Sequence, residues 1–177
     1  MRVSLHLTEA QRLRLAQHLF PEDGYEAVAI ALCGRRADPD HHRLLVREIH
    51  LVPYEVCQER AWGRVRWPTE ILVPWLEEAN ANGWTVVKIH GHHAEWPWFS
   101  PLDDESDGSL FPSLAGWIDA DVPHASVILL SDGRLLGRWT DGTTPMQPLE
   151  PIVVVGDTLQ IYRPSDFETR EALEALP

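Results

Sequence analysis

The run AVAIALCG, from Ala27 to Gly34, constrains the fold more than any other stretch of this chain. A short apolar run without charged side chains is typical of a strand that is buried on both faces. The polar segment RRADPDHH separates it from RLLVREIHLV, whose alternation of apolar and polar residues predicts a neighbouring strand. We therefore expect the two strands to form a hairpin with a long loop, inside a sheet that is covered on both sides.

The N-terminal region alternates between strand and helix patterns. Residues 2–7 alternate as a strand does, and Thr8 is the predicted N-cap of a helix with the sequence EAQRLRLAQHLF. The apolar face of this helix is expected to comprise Leu13, Leu15, Ala16 and Leu19. The turn-forming residues of FPEDGYE end the helix.

A second helix is predicted near the middle of the chain. Residues 53–68 have no clear period, so we expect a loop there with room for one short strand. Thr69 is the predicted N-cap of a helix that runs to Asn82, with Gly83 as its end and Pro74 as a point where it kinks. The next segment, WTVVKIHGH, predicts a strand with the core residues Trp84, Val86 and Val87.

The C-terminal half contains two hairpin signals. Asp132-Gly133 and Gly156-Asp157 each lie between apolar runs, and the segment SDFETREALEAL predicts a terminal helix. No repeat or linker divides the chain, so residues 1–177 are expected to form one domain. Strands interspersed with three or four helices predict an α/β or α+β architecture on one central sheet, and we assign it to the α/β class.

Composition narrows the classes of function. A chain of 177 residues with 44% hydrophobic residues can bury one sizeable core. Its 15 basic and 27 acidic residues give a net charge of −12, which argues against nucleic acid as a partner because phosphate contacts need clustered Lys and Arg. Cys33 and Cys57 have neither the spacing of a thiol metal site nor that of a disulfide framework. No signal peptide or membrane span is apparent, so a soluble, cytoplasmic protein is expected.

The stretch KIHGHHAEWPWFSPLDD, residues 88–104, concentrates side chains that bind metals. Residues two apart on a strand point to the same face, so His90 and His92 project together, with Gly91 between them. Two imidazoles on one face can bind a divalent ion. A solvent-facing pair is the alternative, because a chain with nine histidines often contains this spacing by chance.

The second half of this stretch has the pattern of a helix start. Ser100 is the predicted N-cap of a helix through Trp117, with Pro101 at the first helical position and Asp103 at the third. Taken alone, these residues indicate a capping box. Together with the histidines they give the spacing H-x-H, seven residues, S-x-x-D, which resembles the JAMM motif of the JAB/MPN metalloprotease family.

The resemblance implies a JAB/MPN-like fold with a central mixed sheet flanked by helices. It also implies a zinc ion, Zn²⁺, that is bound by His90, His92 and Asp103 with a water in the fourth position. By the same resemblance, Ser100 donates a hydrogen bond to the developing oxyanion of the substrate. Zinc lowers the pKa of its bound water and polarises the carbonyl under attack, so the implied site is chemically consistent.

The family also has an upstream glutamate before an apolar strand that leads to a glycine. Glu26 corresponds to it as the general base, with Gly34 closing the strand, and Glu22 in the same turn is the alternative. The chain departs from the family where many members have a proline after the second histidine, because His93 stands there. Strand alternation predicts that His93 faces away from the site, and Asp104 does not keep the S-x-x-D spacing.

Tryptophans lie between the two halves of the motif. Trp96 and Trp98 flank a proline in a loop that must pass the metal, so we expect them to line a substrate groove or else to cover the core below the loop. Trp62 and Trp67 carry the same ambiguity. Family members that bind ubiquitin-like proteins often use an inserted loop, and such an interface needs aromatic anchors.

The resemblance is to bacterial deubiquitinase-like members that act with ubiquitin-like conjugation systems, some of them in antiviral defence. It implies an isopeptidase or peptidase that cleaves after the C-terminal glycine of a ubiquitin-like protein. The implied partners are that protein, its conjugates, and the activating-enzyme-like and conjugating-enzyme-like proteins of the same system. A processing peptidase for a sulfur-carrier protein is the alternative within metal hydrolysis, and a non-catalytic MPN-type scaffold is the alternative of another class.

Overall fold

The computed structural model describes residues 1–118 and 122–167, and within them the chain has an α/β architecture. The described helices are α1 (Glu9–Leu19), α2 (Val73–Asn82) and α3 (Pro101–Ala115). The described strands are β1 (Arg2–Thr8), β2 (Val28–Asp38), β3 (His41–Leu51), β4 (Glu59–Ala61), β5 (Arg64–Arg66), β6 (Thr85–His92), β7 (His124–Leu130), β8 (Leu135–Thr140), β9 (Gln147–Pro148), β10 (Ile152–Val155) and β11 (Leu159–Tyr162).

Nine of these strands form one mixed sheet in the order β11-β10-β1-β3-β2-β6-β7-β8-β9. Strand β1 is parallel to both β3 and β10, and β6 is parallel to β7, whereas the other neighbours are antiparallel. Strands β4 and β5 pair separately as a small hairpin.

Strand β2 lies in the middle of this sheet and is buried on both faces, which confirms the prediction from its apolar run. Ala29 and Ala31 contact a core that also includes Leu15 of α1. Ile30 and Leu32 contact a second core on the opposite face, which contains the apolar side chains of α2 and α3. The two faces of β2 therefore hold the helices on both sides of the sheet.

The long polar loop predicted between β2 and β3 is wrong. Strand β2 continues to Asp38 and β3 begins at His41, so only Pro39 and Asp40 form the turn. Exposed side chains such as Arg35 can extend an antiparallel pair beyond the core, because backbone hydrogen bonds hold it together and one face can remain in water.

The predicted start of the second helix is also wrong. Residues Thr69–Leu72 form a 3-10 turn in which Thr69 caps nothing, and α2 begins at Val73. Pro74 therefore lies in the first turn, where its missing N–H breaks no helical hydrogen bond, and it does not kink the helix. Gly83 ends the helix as predicted, with a φ of 63°.

Other expectations need smaller corrections. Leu13 is exposed on α1, and Trp84 packs at the border of its core instead of inside it. The third helix ends at Ala115, two residues before the predicted Trp117. The aperiodic segment contains the whole β4–β5 hairpin, and the two-residue strand β9 has no signal in the sequence.

Both hairpins predicted in the C-terminal half are confirmed. Strands β7 and β8 pair around Asp132-Gly133, and β10 and β11 pair around Gly156-Asp157. The predicted terminal helix falls mostly outside the described residues, which end with a short 3-10 turn at Pro164–Asp166. Across the described ranges, no helix combines the length and the apolar character needed to cross a membrane.

Candidate metal centre and its cleft

The fold brings the two halves of the motif together. His90 and His92 lie at the end of β6, and Ser100 is the N-cap of α3, whose first turn contains Asp103. Strand β2 runs antiparallel beside β6 with Val28 opposite His90. Glu26 precedes Val28 by two residues, so it lies at the same end and on the same face of the sheet as the histidines.

Three side chains form a compact cluster of potential metal ligands. His90 Nε2 lies 3.2 Å from His92 Nε2 and 2.8 Å from Asp103 Oδ1, and His92 Nε2 lies 3.6 Å from Asp103 Oδ2. A tetrahedral zinc ion with ligands at about 2.0–2.1 Å separates neighbouring ligand atoms by about 3.3 Å. The three distances, which reach both oxygens of Asp103, therefore lie close to the spacing that zinc requires.

The protonation of His92 also suits a metal ligand. Its Nδ1 donates a hydrogen bond to the backbone oxygen of Trp96 at 3.2 Å, which leaves the Nε2 lone pair directed at Asp103 and His90. Burial lowers the pKa of His92 to about 4, with the charge of His90 acting in the same direction, so the ring is neutral at physiological pH. A neutral imidazole whose other nitrogen is hydrogen-bonded is the usual arrangement of a histidine ligand.

Gly91 explains how two histidines can share this strand end. A Cβ atom built on Gly91 would lie 3.0 Å from the backbone oxygen of Leu19 and 3.1 Å from the ring of Phe20. The end of α1 thus packs directly against the back of the strand. Only glycine lets β6 approach this closely while His90 and His92 face the opposite side.

We expect Gly91→Ala to destabilise the fold by about 1–3 kcal/mol, because the added methyl group overpacks a rigid backbone contact. Urea denaturation of the metal-free protein measures this change. Gly108→Ala is the matched control, since a Cβ there meets nothing within 4 Å and the helical position favours alanine. Equal stability of wild type and Gly91→Ala would contradict the proposed packing.

Ser100 and Asp103 form the capping box that the sequence predicts. The Ser100 hydroxyl accepts from the Asp103 N–H at 3.2 Å, and the Asp103 carboxylate accepts from the Ser100 N–H at 2.7 Å. Burial alone would raise the pKa of Asp103, but hydrogen bonds from His90 and Ser100 bring it well below its usual range. The same contacts that begin the helix therefore keep the carboxylate ionised and aimed at the histidines.

The Ser100 hydroxyl also donates to Asp103 Oδ2, at 2.7 Å. Donation to a substrate oxyanion therefore requires the hydroxyl to rotate. The Ser100 N–H still donates to the Asp103 carboxylate after this rotation, so this half of the capping box remains in place.

Glu26 is held beside the cluster by the β4–β5 hairpin. Its N–H donates to the backbone oxygen of Ala61, and its own carbonyl oxygen accepts from Arg60, both at 3.1 Å. The Arg60 guanidinium stacks 3.9 Å from the centre of the Tyr54 ring. Burial raises the pKa of Glu26 to about 7, although the charge of His90 acts to lower it. A carboxyl with this pKa can both accept and release a proton near neutral pH.

The raised pKa predicts how Glu26 affects stability. The carboxyl ionises at about 4.5 when unfolded and at about 7 when folded, so it destabilises the fold increasingly as pH rises through this window. In the metal-free protein we expect Glu26→Gln to be more stable than wild type by about 2–3 kcal/mol at pH 8 and nearly equal to it at pH 4. Urea denaturation at both pH values tests this. The exposed neighbour Glu22 is the control, and a difference independent of pH would contradict the expected titration.

The cluster lies at one side of a cleft of about 820 Å³. Helix α3 forms one wall, and the β4–β5 hairpin forms the other together with the 3-10 turn and the start of α2 that follow it. Glu26, Lys88 and His90 line the space between the walls. Trp62 projects from the hairpin tip and is exposed, with its ring centre 6.3 Å from those of both His93 and Trp96. An exposed aromatic patch of Trp62, His93 and Trp96 therefore lies beside the cleft.

The two tryptophans predicted to bind substrate occupy different environments. Trp96 is half exposed in this aromatic patch. Trp98 is partly buried, and with Phe99 and Tyr162 it lines a separate apolar pocket of about 340 Å³. Trp96 is thus the more accessible of the two to a partner.

Several alternative residues lie away from the cluster. His93 is exposed beside Trp62, Asp104 forms an ion pair with Arg138, and Glu22 is exposed and does not line the cleft. Among the described residues a second group can also bring three ligand-type atoms within 4.8 Å of one another: Glu48, His50 and Glu78. All three are partly exposed, and none lines the cleft.

Sequence reasoning missed a set of charged residues beside the cluster. Lys88 is buried on β6 and forms an ion pair with Asp107 of α3, which also pairs with Arg138 of β8. Lys88 lies two residues before His90, a spacing that places both on one face of the strand and that could have indicated its position. Nothing local in the sequence connects it to Arg138.

Comparison with known proteins reveals a similar fold and gives no information about function. No family model matches this chain, and no curated protein matches it. Among solved structures, the chain is similar to the solution structure of protein DSY2949 from Desulfitobacterium hafniense, with a TM-score of 0.53 and 16% sequence identity. The match covers 86% of this chain and 94% of that one. The likeness extends over most of both chains and shows a shared α/β fold.

Proposed function

We propose that this chain is a zinc-dependent isopeptidase or peptidase with a JAB/MPN-like fold, which cleaves after the C-terminal glycine of a ubiquitin-like protein. One observation carries the proposal. Side chains from three separate parts of the sequence, Glu26, the His90/His92 pair and Asp103, meet at one end of one sheet. Their distances and the neutral ring of His92 suit a zinc ion beside a general base.

Each residue has a defined role in this proposal. Zn²⁺, when bound by His90, His92 and Asp103, supplies a Lewis acid that polarises a carbonyl and makes water a stronger nucleophile. Glu26 takes a proton from the attacking water and transfers it to the departing amine, because a carboxylate at the edge of the cleft can act first as a base and then as an acid. The Ser100 hydroxyl rotates from Asp103 to donate to the oxyanion.

The surroundings of the cluster suit an extended peptide. A cleft between a helix and a hairpin can hold a narrow, glycine-rich tail, whereas the aromatic patch of Trp62, His93 and Trp96 lies beside it and can contact the folded body of a partner. Specificity for the ubiquitin-like protein therefore depends on surface outside the metal centre.

We expect Trp96→Ala to raise KM for such a substrate by about 10-fold or more, with kcat nearly unchanged, because a half-exposed aromatic anchor contributes to binding and not to chemistry. Steady-state kinetics on a folded ubiquitin-like fusion measure both constants. Leu13→Ala, an exposed apolar residue on α1, is the control. An unchanged KM would remove Trp96 from the substrate-binding surface.

Cleavage of defined substrates tests the proposal. The zinc-loaded protein is offered a panel of ubiquitin-like proteins that end in Gly-Gly, each either fused to one further residue or joined through an isopeptide bond to a lysine peptide. We expect cleavage after the terminal glycine by wild type and cleavage at least about 100-fold slower by Glu26→Gln. Cleavage of fusions alone would favour the alternative of a processing peptidase for a sulfur-carrier protein. If zinc is bound and the two proteins behave alike on every substrate, the proposed activity is wrong.

A further inference from the structure

The first half of α3 lacks an apolar anchor although it carries the metal-site residues. The buried apolar side chains of this helix all lie in its second half: Leu110, Phe111 and Leu114. From Pro101 to Ser109 the one buried side chain is Asp107, and Leu102 is 44% exposed. Hydrophobic packing therefore holds the end of α3 and leaves its start to other interactions.

The hydrogen bonding and helix propensity of α3 are also weak where its first half meets its second half. Gly108 lies in its interior, where glycine costs about 1 kcal/mol relative to alanine. Pro112 lacks the N–H that would bond to the carbonyl of Gly108, so one helical hydrogen bond is missing between the two halves. Helical hydrogen bonding alone thus gives limited support to the position of the first turns.

Charged contacts hold the first half instead. Lys88 and Asp107 form an ion pair with side chains that are 5% and 1% exposed, and Lys88 Nζ also lies 3.2 Å from Ser106 Oγ. Arg138 donates to Asp107 Oδ2 from Nε at 2.9 Å and from Nη2 at 2.6 Å, and it bonds to Asp104 as well. The helix is thereby tied to β6 through Lys88 and to β8 through Arg138.

The spacing of these contacts matches the spacing of the metal site. Lys88 and His90 are two residues apart on a strand, or about 6.6 Å. Asp103 and Asp107 are four residues apart on a helix, or about 6 Å. The Lys88–Asp107 and His90–Asp103 pairs therefore form two neighbouring cross-links between the same strand and the same helix.

We propose that Lys88, Asp107 and Arg138 are positioning residues whose buried ion pairs set the register of α3 on the sheet and so place Asp103 against His90 and His92. The ligand set is then complete only when the charged cross-link is in place. This inference rests on the proposed function because it takes the cluster to bind zinc. The claim that the ion pairs hold the first turns of α3 in place does not depend on zinc.

The positioning role can be separated from a general contribution to stability. Replacing both partners of a buried ion pair by uncharged residues of similar volume is often neutral for stability, whereas removing one leaves an unpaired buried charge. The variant Lys88→Met with Asp107→Asn removes both charges of the pair. Arg138 can still donate hydrogen bonds to Asp104 and to the side-chain amide oxygen introduced at position 107. Arg12→Met with Glu9→Gln is the control, because it removes a partly buried ion pair on α1 that includes no residue of α3 or of the cluster.

Two measurements on these proteins test the proposal. Amide hydrogen exchange of the metal-free proteins is expected to be about 10-fold faster in the first two turns of α3 in the Lys88→Met/Asp107→Asn variant, with α2 unchanged. Zinc affinity, from competition with a chelator, is expected to fall by about 10–100-fold in the same variant and to stay within about twofold in the control.

The outcomes are distinguishable. If wild type binds no zinc, the proposed function fails, and the exchange experiment still decides whether the cross-link holds the helix. If the first turns of α3 exchange as slowly in the variant as in wild type, the positioning role is wrong. It is also wrong if the faster exchange in α3 and the weaker zinc binding come with an equal loss of protection in α2, because that result indicates only a weaker fold.

Discussion

Glu26→Gln is expected to lower kcat by about 10²–10⁴-fold on a ubiquitin-like substrate while leaving the zinc content unchanged. Gln has nearly the volume of Glu and can keep the backbone bonds to Ala61 and Arg60, so the local structure should persist. It cannot accept and release the proton that the reaction transfers. The loss should therefore fall on kcat, with KM little changed.

The control for this prediction lies in the same turn. Glu22→Gln removes an exposed carboxylate that does not line the cleft, and it should leave kcat within about twofold of wild type. A large loss of kcat in Glu22→Gln together with a small loss in Glu26→Gln would make Glu22 the general base instead of Glu26. An unchanged rate in both variants would mean that neither glutamate is the general base.

Local patterns in the sequence predicted the parts of the structure that local interactions determine. The His90/His92 pair follows from strand alternation, and the Ser100/Asp103 cap follows from residues three apart at a helix start. The position of Glu26 is less local, because it depends on the register of β2 against β6. The family resemblance pointed to Glu26 because it precedes the apolar run, and in the structure Glu26 lines the cleft.

The sequence could not predict contacts that join distant elements. Lys88, Asp107 and Arg138 come from β6, α3 and β8, and no local pattern links them. Two of the errors at element ends arise because the same local pattern occurs in more than one structure. The polar residues after Gly34 resemble a loop, but backbone pairing with β3 keeps them in a strand. Thr69 resembles an N-cap, but the α-helix starts later, with Pro74 in its first turn.

The second large effect concerns the ligands themselves. Changes in the outer shell of a metal site already cost about 10–100-fold in affinity, so removing a direct ligand should cost more than about 100-fold. His92→Ala and Asp103→Ala are therefore expected to lose zinc. Their neighbours supply matched controls, since His93 is exposed beside Trp62 and Asp104 pairs with Arg138, so neither side chain belongs to the cluster.

The most direct test of the central claim is the zinc content and coordination of the purified protein, measured by elemental analysis and X-ray absorption. We expect one zinc ion per chain with two imidazole nitrogens, one carboxylate oxygen and one water oxygen. The metal should be lost in His92→Ala and Asp103→Ala and kept in His93→Ala and Asp104→Ala. A protein that binds no zinc, or that loses it only when His93 or Asp104 is replaced, would contradict the assignment of the metal centre.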